Sequence, residues 1–102
     1  MHTCDRRHKR SEIAALHPNF AFEHGFSEDD RLWLPDVRET DKQRNVRLAA
    51  ALQQMVATDT STYIAVSAHG GAITSILEVI GHRPFPLQTG GIIPVVVRVE
   101  RA

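Results

Sequence analysis

A histidine followed by two glycines, His69-Gly70-Gly71, stands at the junction of two apolar segments in this 102-residue chain. The apolar stretch YIAVSA (63–68) precedes it, and apolar residues recur at positions 73, 76, 77 and 80 after it. That spacing of i, i+3, i+4 and i+7 is typical of one face of an α-helix. The pattern therefore predicts a titratable imidazole where one element ends and a helix begins.

An imidazole at the start of a helix is well suited to binding an anion. The first N–H groups of a helix have no intrahelical acceptor and lie at the positive end of its dipole. Glycines let a ligand approach the backbone, and imidazole can donate a hydrogen bond or exchange a proton near neutral pH. We expect His69, Gly70 and Gly71 to bind phosphate, with His69 as the catalytic candidate. The alternative interpretation is that His69 is only a polar turn residue.

The elements that would position this histidine predict an α/β fold. YIAVSA is short, rich in β-branched residues and apolar on both faces apart from Ser67, which favours a buried parallel strand. The segment 92–100, IIPVVVRVE, predicts a second strand, with its proline at a start, an edge or a bulge. Thr40 and Gln43 predict a capping box that opens a helix over about 41–57. Gly81 predicts the end of the helix that follows His69.

The N-terminal third predicts only short helical pieces. Ser11 is expected to cap a helix over 12–16, and a further helical turn is expected over 28–33. Three phenylalanines are expected to act as core anchors beneath a loop. They are Phe20, Phe22 and Phe26.

Composition narrows the function classes. Hydrophobic residues make up 42% and charged residues 24%, which is typical of a globular domain. Twelve acidic residues balance twelve lysines and arginines, so overall charge does not favour nucleic acid or an anionic membrane as a partner. No apolar run approaches the about 18 residues of a membrane span. The single cysteine excludes an internal disulfide, and together these features favour a cytoplasmic location.

Other candidate sites are weaker. His2, Cys4 and His8 are chemically suited to zinc, but their spacing fits no standard finger and no second ligand pair follows, so no metal site is predicted. The basic stretch around Arg6 and Arg7 is either a solvated loop or a place for a substrate phosphate or carboxylate.

Several of these motifs together resemble the histidine phosphatase superfamily, the phosphoglycerate mutase-like proteins. SAHGGAI and TGGIIPV carry the most specific part of this similarity. The upstream stretch resembles the fungal branch, in which a Cys-Asp-x-Arg element precedes a Phe- and Trp-containing insert and an Arg-Glu pair. The matching residues here are Cys4, Asp5, Arg7, Phe26, Trp33, Arg38 and Glu39.

The resemblance implies a three-layer α/β/α fold, of which residues 1–102 would form the C-terminal part of a single domain. It implies that His69 matches the second histidine around a transferred phosphoryl group and that no cofactor is needed. Within the basic stretch, Arg7 is the residue that we expect to contact substrate, because arginine can bind a phosphate or carboxylate with two hydrogen bonds. The family's nucleophile lies in an Arg-His-Gly motif, which these 102 residues do not contain. The N-terminal strand and the nucleophile region would therefore be missing, and Glu39 is a fallback for the acid–base carboxylate.

The function expected on this basis is that of a phosphatase or phosphomutase fragment, acting on a small phosphorylated metabolite or inorganic phosphate and inactive as it stands. The alternative is a non-catalytic pseudoenzyme module that binds phosphate or protein without turnover. The sequence alone does not decide whether the chain is an enzyme. A sheet without its central strand is also expected to self-associate through exposed edges.

Overall fold

The computed structural model describes residues 6–100 and contains three α-helices in this range: α1 (Arg10–Leu16), α2 (Asp41–Thr58) and α3 (Gly70–Val79). The chain divides into two compact units. One ends at Glu39 and contains α1, and the other begins at Thr40 and contains α2 and α3. Among the described residues, no helix is long and apolar enough to span a membrane.

Helix α2 begins at the predicted capping box. The Thr40 hydroxyl accepts a hydrogen bond from the Gln43 N–H at 3.2 Å, and the Gln43 side-chain oxygen accepts one from the Thr40 N–H at 2.9 Å. These two bonds satisfy backbone donors that the first helical turn leaves unpaired. The prediction of a helix over about 41–57 is confirmed, with the last helical residue at Thr58.

A Schellman motif with Gly81 follows the last helical residue of α3, Val79, and terminates the helix. The His82 N–H donates to the Leu77 carbonyl at 2.9 Å and the Gly81 N–H donates to the Glu78 carbonyl at 3.1 Å. This reversal requires a positive φ, which Gly81 adopts at 76°. The predicted helix end is therefore confirmed, and the reason is the conformational freedom of glycine at this position.

Helices α2 and α3 pack against each other and form the core of the second unit. Leu77 of α3 is 3% exposed and Ser75 is fully buried, and these are the only buried residues in the described range. The apolar stripe of α2 that faces this core is half-buried; it consists of Leu48, Leu52, Met55 and Val56. A core this small leaves much of the apolar surface of the unit exposed to solvent.

The first unit is held together by hydrogen bonds to a loop over residues 27–30. Lys9 occupies the N-cap position of α1 without a side-chain capping bond, and the predicted cap, Ser11, lies inside the helix. The Ser11 hydroxyl and N–H both donate to the Glu28 carboxylate, and the Asp30 carboxylate accepts from the backbone N–H groups of Leu32 and Trp33 at 3.1 Å. The predicted helical turn over 28–33 is wrong: these residues form bends and no helix, with the Asp30 carboxylate accepting locally from the backbone.

The three phenylalanines do not form a buried core. Phe20 is 66% exposed, whereas Phe22 and Phe26 are half-buried and their ring centroids lie 4.9 Å apart. The His17 imidazole stacks on the Phe20 ring with centroids 5.1 Å apart. The rings therefore pair locally with each other and with neighbouring side chains.

The predicted α/β fold is wrong: residues 6–100 contain three helices and no strand. Both predicted strands, 63–68 and 92–100, lack regular structure, and most of their apolar side chains are exposed, with Tyr63 at 93% and Ile92 at 88%. A strand exists only when a neighbouring strand supplies acceptors and donors for its backbone. Apolar, β-branched composition indicates that a segment would suit a strand, but here the two segments do not pair.

Candidate phosphate site at the start of helix α3

His69 is the N-cap residue of α3. Its backbone is extended, with φ −72° and ψ 158°, and its side chain makes no capping hydrogen bond to the helix. The first hydrogen bond of the helix joins the Ile73 N–H to the His69 carbonyl at 3.0 Å. The N–H groups of Gly70, Gly71 and Ala72 precede this bond and so have no acceptor within the helix. An exposed imidazole and three helix-terminal amides therefore lie within one turn.

The two glycines have different surroundings. A Cβ atom added at Gly70 would meet nothing within 4 Å, whereas one added at Gly71 would lie 2.7 Å from Nη1 of Arg44. Neither glycine has a positive φ, so backbone conformation does not require glycine at either position. Gly71 is a close approach between α3 and a side chain of α2.

Arg44 is the residue that reaches from α2 to this turn. Its Nε donates to the Ser75 hydroxyl at 2.7 Å, and its Nη2 lies 3.3 Å from the exposed carboxylate of Asp41. Gly71 and Ser75 are four residues apart, so they share one face of α3. Gly71 has no side chain and Ser75 has a small one, so this face of α3 leaves room for the guanidinium.

Sequence reasoning singled out His69, Gly70 and Gly71 but missed Arg44. The sequence does contain a pattern that indicates a contact for Arg44 with a neighbouring helix. Arg44 continues the apolar stripe of α2 at positions 44, 48, 52 and 55, a spacing of i, i+4, i+8 and i+11. A charged residue in line with an apolar stripe is expected to have a partner on the helix that covers that stripe.

The chemistry available at this turn favours anions. The helix terminus carries a partial positive charge, and a cationic guanidinium contacts the same turn. The imidazole adds a donor that can also take or release a proton near neutral pH. Asp41 is the carboxylate paired with the guanidinium, and its exposure weakens that pairing through solvent screening.

Arg7, the predicted substrate contact, lies in the first unit. Its Nη2 donates to the Ser27 carbonyl at 2.8 Å and the Asp29 carbonyl at 3.0 Å, and the guanidinium lies 4.1 Å from the Phe26 ring centroid. These bonds bring the carbonyls of the 27–30 loop together around one cation. A pocket of about 260 Å³ borders this loop. A role for Arg7 in substrate binding stays a prediction.

The other candidate residues have local contacts or lie outside the described range. The Arg6 guanidinium lies 5.2 Å from the Trp33 ring, and His8 Nδ1 lies 3.3 Å from a carboxylate oxygen of Glu12. His2 and Cys4 lie outside the described residues, so the geometry of that cluster is not described. Within residues 6–100 no group of three or more histidines, cysteines or carboxylates is arranged to hold a metal ion.

Comparison with curated proteins gives relatives named as phosphoglycerate mutases or phosphomutase-like proteins, and three of them are from fungi. A probable phosphoglycerate mutase of Arthroderma benhamiae is 51% identical over 100 residues, covering 98% of this chain and 30% of the relative. Phosphomutase-like protein 3 of Candida albicans is 42% identical over 93% of this chain and 30% of its own length. A probable phosphoglycerate mutase of Saccharomyces cerevisiae is 33% identical over 96% of this chain and 38% of its own length.

No family model and no solved structure matches the chain. The relatives nevertheless confirm the resemblance inferred from the sequence: this chain is a homologue of the fungal phosphoglycerate mutase-like proteins. It spans about a third of the length of the relatives and corresponds to one portion of such a protein.

Proposed function

We propose that this chain carries the phosphate-binding histidine of a phosphoglycerate mutase-like protein that acts on a small phosphorylated metabolite. The observation that carries the proposal is the position of His69, which caps α3 next to three amides without helical acceptors. A phosphoryl group presents several anionic oxygens, and such a turn offers it several donors at once. The names of the relatives support a phosphoryl substrate.

In this role His69 would act on the phosphoryl group directly. Its imidazole would donate a hydrogen bond to a phosphoryl oxygen and stabilise the charge that develops during transfer, while the amides of α3 hold the remaining oxygens. The bond to phosphorus would need a separate nucleophile. The family's Arg-His-Gly motif does not occur in these 102 residues, so we propose that the chain binds phosphate without turning it over.

Two measurements on the purified chain test this function. Hydrolysis of p-nitrophenyl phosphate should not exceed that of the His69→Ala variant, and turnover that disappears in this variant would contradict the proposed inactivity.

Isothermal titration with inorganic phosphate should give weak binding that the His69→Asn variant loses. The His82→Asn variant is the matched control, because His82 follows the C-terminal end of α3. Equal loss in both variants would exclude a specific site at His69.

The second candidate is a non-catalytic binding module, a protein that has no Arg-His-Gly nucleophile in any part of it, whereas the first is a portion of an active enzyme; the missing motif favours this second candidate. The transcript that encodes this chain distinguishes the two. An in-frame segment that supplies an Arg-His-Gly motif would support the enzyme, whereas a transcript without this motif would support the binding module.

A further inference from the structure

Arg44 connects α2 to the first two turns of α3 through Gly71 and Ser75, and it also pairs with Asp41 of its own helix. Nε donates to the fully buried Ser75 hydroxyl, Nη1 lies against Gly71, and Nη2 pairs with Asp41. Because guanidinium is planar and rigid, these contacts fix its orientation as well as its position. Ser75 is the only fully buried polar side chain in the described residues, and Arg44 is its partner.

Electrostatics alone would not place Arg44 here. The N-terminal end of a helix carries a partial positive charge, which disfavours a neighbouring cation. The exposed Asp41 carboxylate compensates only in part, because water screens exposed pairs. The short bond to Ser75 therefore holds the guanidinium against the turn that His69 caps, and the absence of a side chain at Gly71 leaves room for it.

We propose that Arg44 is a positioning residue for His69. By joining the face of α3 that carries Gly71 and Ser75 to α2, it fixes the first turn and with it the N-cap imidazole. The consequence for phosphate binding rests on the function proposed above. The positioning itself can be measured without any ligand.

The Gly71 contact is tested with a pair of adjacent substitutions. Gly71→Ala places a Cβ 2.7 Å from Nη1 and must displace the guanidinium, whereas Gly70→Ala meets open space. Both substitutions replace glycine in the first turn of α3 with alanine, the better helix former. The Arg44 Nε–H resonance should therefore shift and exchange faster in Gly71→Ala and stay unchanged in Gly70→Ala. Equal responses in the two variants would overturn the proposed contact.

The effect on His69 is tested from α2, away from the turn itself. Arg44→Gln and Arg44→Lys should both shift the His69 ring resonances in the absence of ligand, because neither side chain keeps the guanidinium fork. Lys42→Gln removes a charge from the same helix and should leave these resonances unchanged. Unchanged His69 resonances in both Arg44 variants, with helicity retained, would overturn the inference.

Phosphate affinity separates this inference from the proposed function. If both hold, Arg44→Lys should weaken inorganic phosphate binding about tenfold, although lysine retains the positive charge. The reason is that a displaced His69 imidazole loses its charge-assisted hydrogen bond to phosphate. Full binding by Arg44→Lys would overturn positioning and assign the effect to charge. If the wild-type chain binds no phosphate while the His69 resonances still respond to Arg44, the proposed function fails and the positioning stands.

Discussion

At the scale of single residues, Glu28 shows how a carboxylate can stabilise a helix from a distant loop. It accepts hydrogen bonds from the hydroxyl and the N–H of Ser11 in the first turn of α1. The Ser11 hydroxyl bond is the main reason that the pKa of Glu28 lies below the ordinary value of 4.5, and the charges of Lys9 and Arg10 lower this pKa further. The carboxylate therefore prefers to be ionised in the folded chain.

The lowered pKa predicts how α1 responds to acid. A carboxyl group whose folded pKa is depressed contributes stability above its unfolded pKa and loses it as the pH falls through the folded value. The Ser11 amide resonance should therefore move toward its unfolded position as the pH falls below 4.5. Glu28→Gln should remove this step, and a step of unchanged size in that variant would contradict the assignment to Glu28.

Residue patterns identified His69 but not Arg44, and the difference has a physical reason. A histidine and two glycines ahead of an apolar period mark a helix start by local rules alone. The Arg44–Ser75 contact joins residues 31 positions apart, so it depends on how α2 and α3 pack. Neither residue is unusual within its own helix until the other helix is present.

At the scale of elements, Gly81 is the clearest case in which one residue determines a boundary. Its φ of 76° is strained for any residue with a Cβ. Gly81→Ala should therefore destabilise the end of α3 by about 1 kcal/mol, which hydrogen exchange at Ile80 and His82 would detect as faster exchange. Gly70→Ala is the matched control and should slow exchange in α3 instead. Unchanged protection in Gly81→Ala would contradict the role of the positive φ.

Helix ends were predictable here and strands were not, because the two elements depend on different information. The Thr40–Gln43 box and the Gly81 end are satisfied by atoms within a few residues. Residues 63–68 and 92–100 have the composition of strands, but a strand needs hydrogen bonds from another segment. The resemblance supplied a fold for the whole relative, whereas this chain aligns with about a third of its length.

At the scale of the whole molecule, the imbalance between core and surface is the main feature. Leu77 is the only buried apolar residue in the described range, while many large apolar side chains of 63–66 and 92–99 are exposed. Apolar burial is the dominant favourable contribution to folding, and a core of this size therefore gives little stability against unfolding. Exposed apolar surface of this extent favours association.

We therefore expect the purified chain to self-associate and to bind the dye ANS, as states with exposed apolar surface do. Sedimentation velocity should show a mass that rises with concentration. Val96→Lys should reduce this association because it charges an exposed apolar segment, and Thr62→Lys, which adds the same charge at a polar position, is the control. A monodisperse monomer with a sharp, cooperative melt would contradict this prediction.

The most direct test of the phosphate site is a sulfate titration followed by NMR at two pH values. Sulfate stays doubly charged, so a change in affinity reports on the protein. A protonated imidazole binds an anion better than a neutral one, so the affinity at the acidic pH should exceed the affinity at the alkaline pH. The shifts should fall on the His69 ring and on the amides of Gly70, Gly71 and Ala72. Shifts confined to other histidines, with the His69 ring unchanged, would contradict the site and leave His69 as a turn residue.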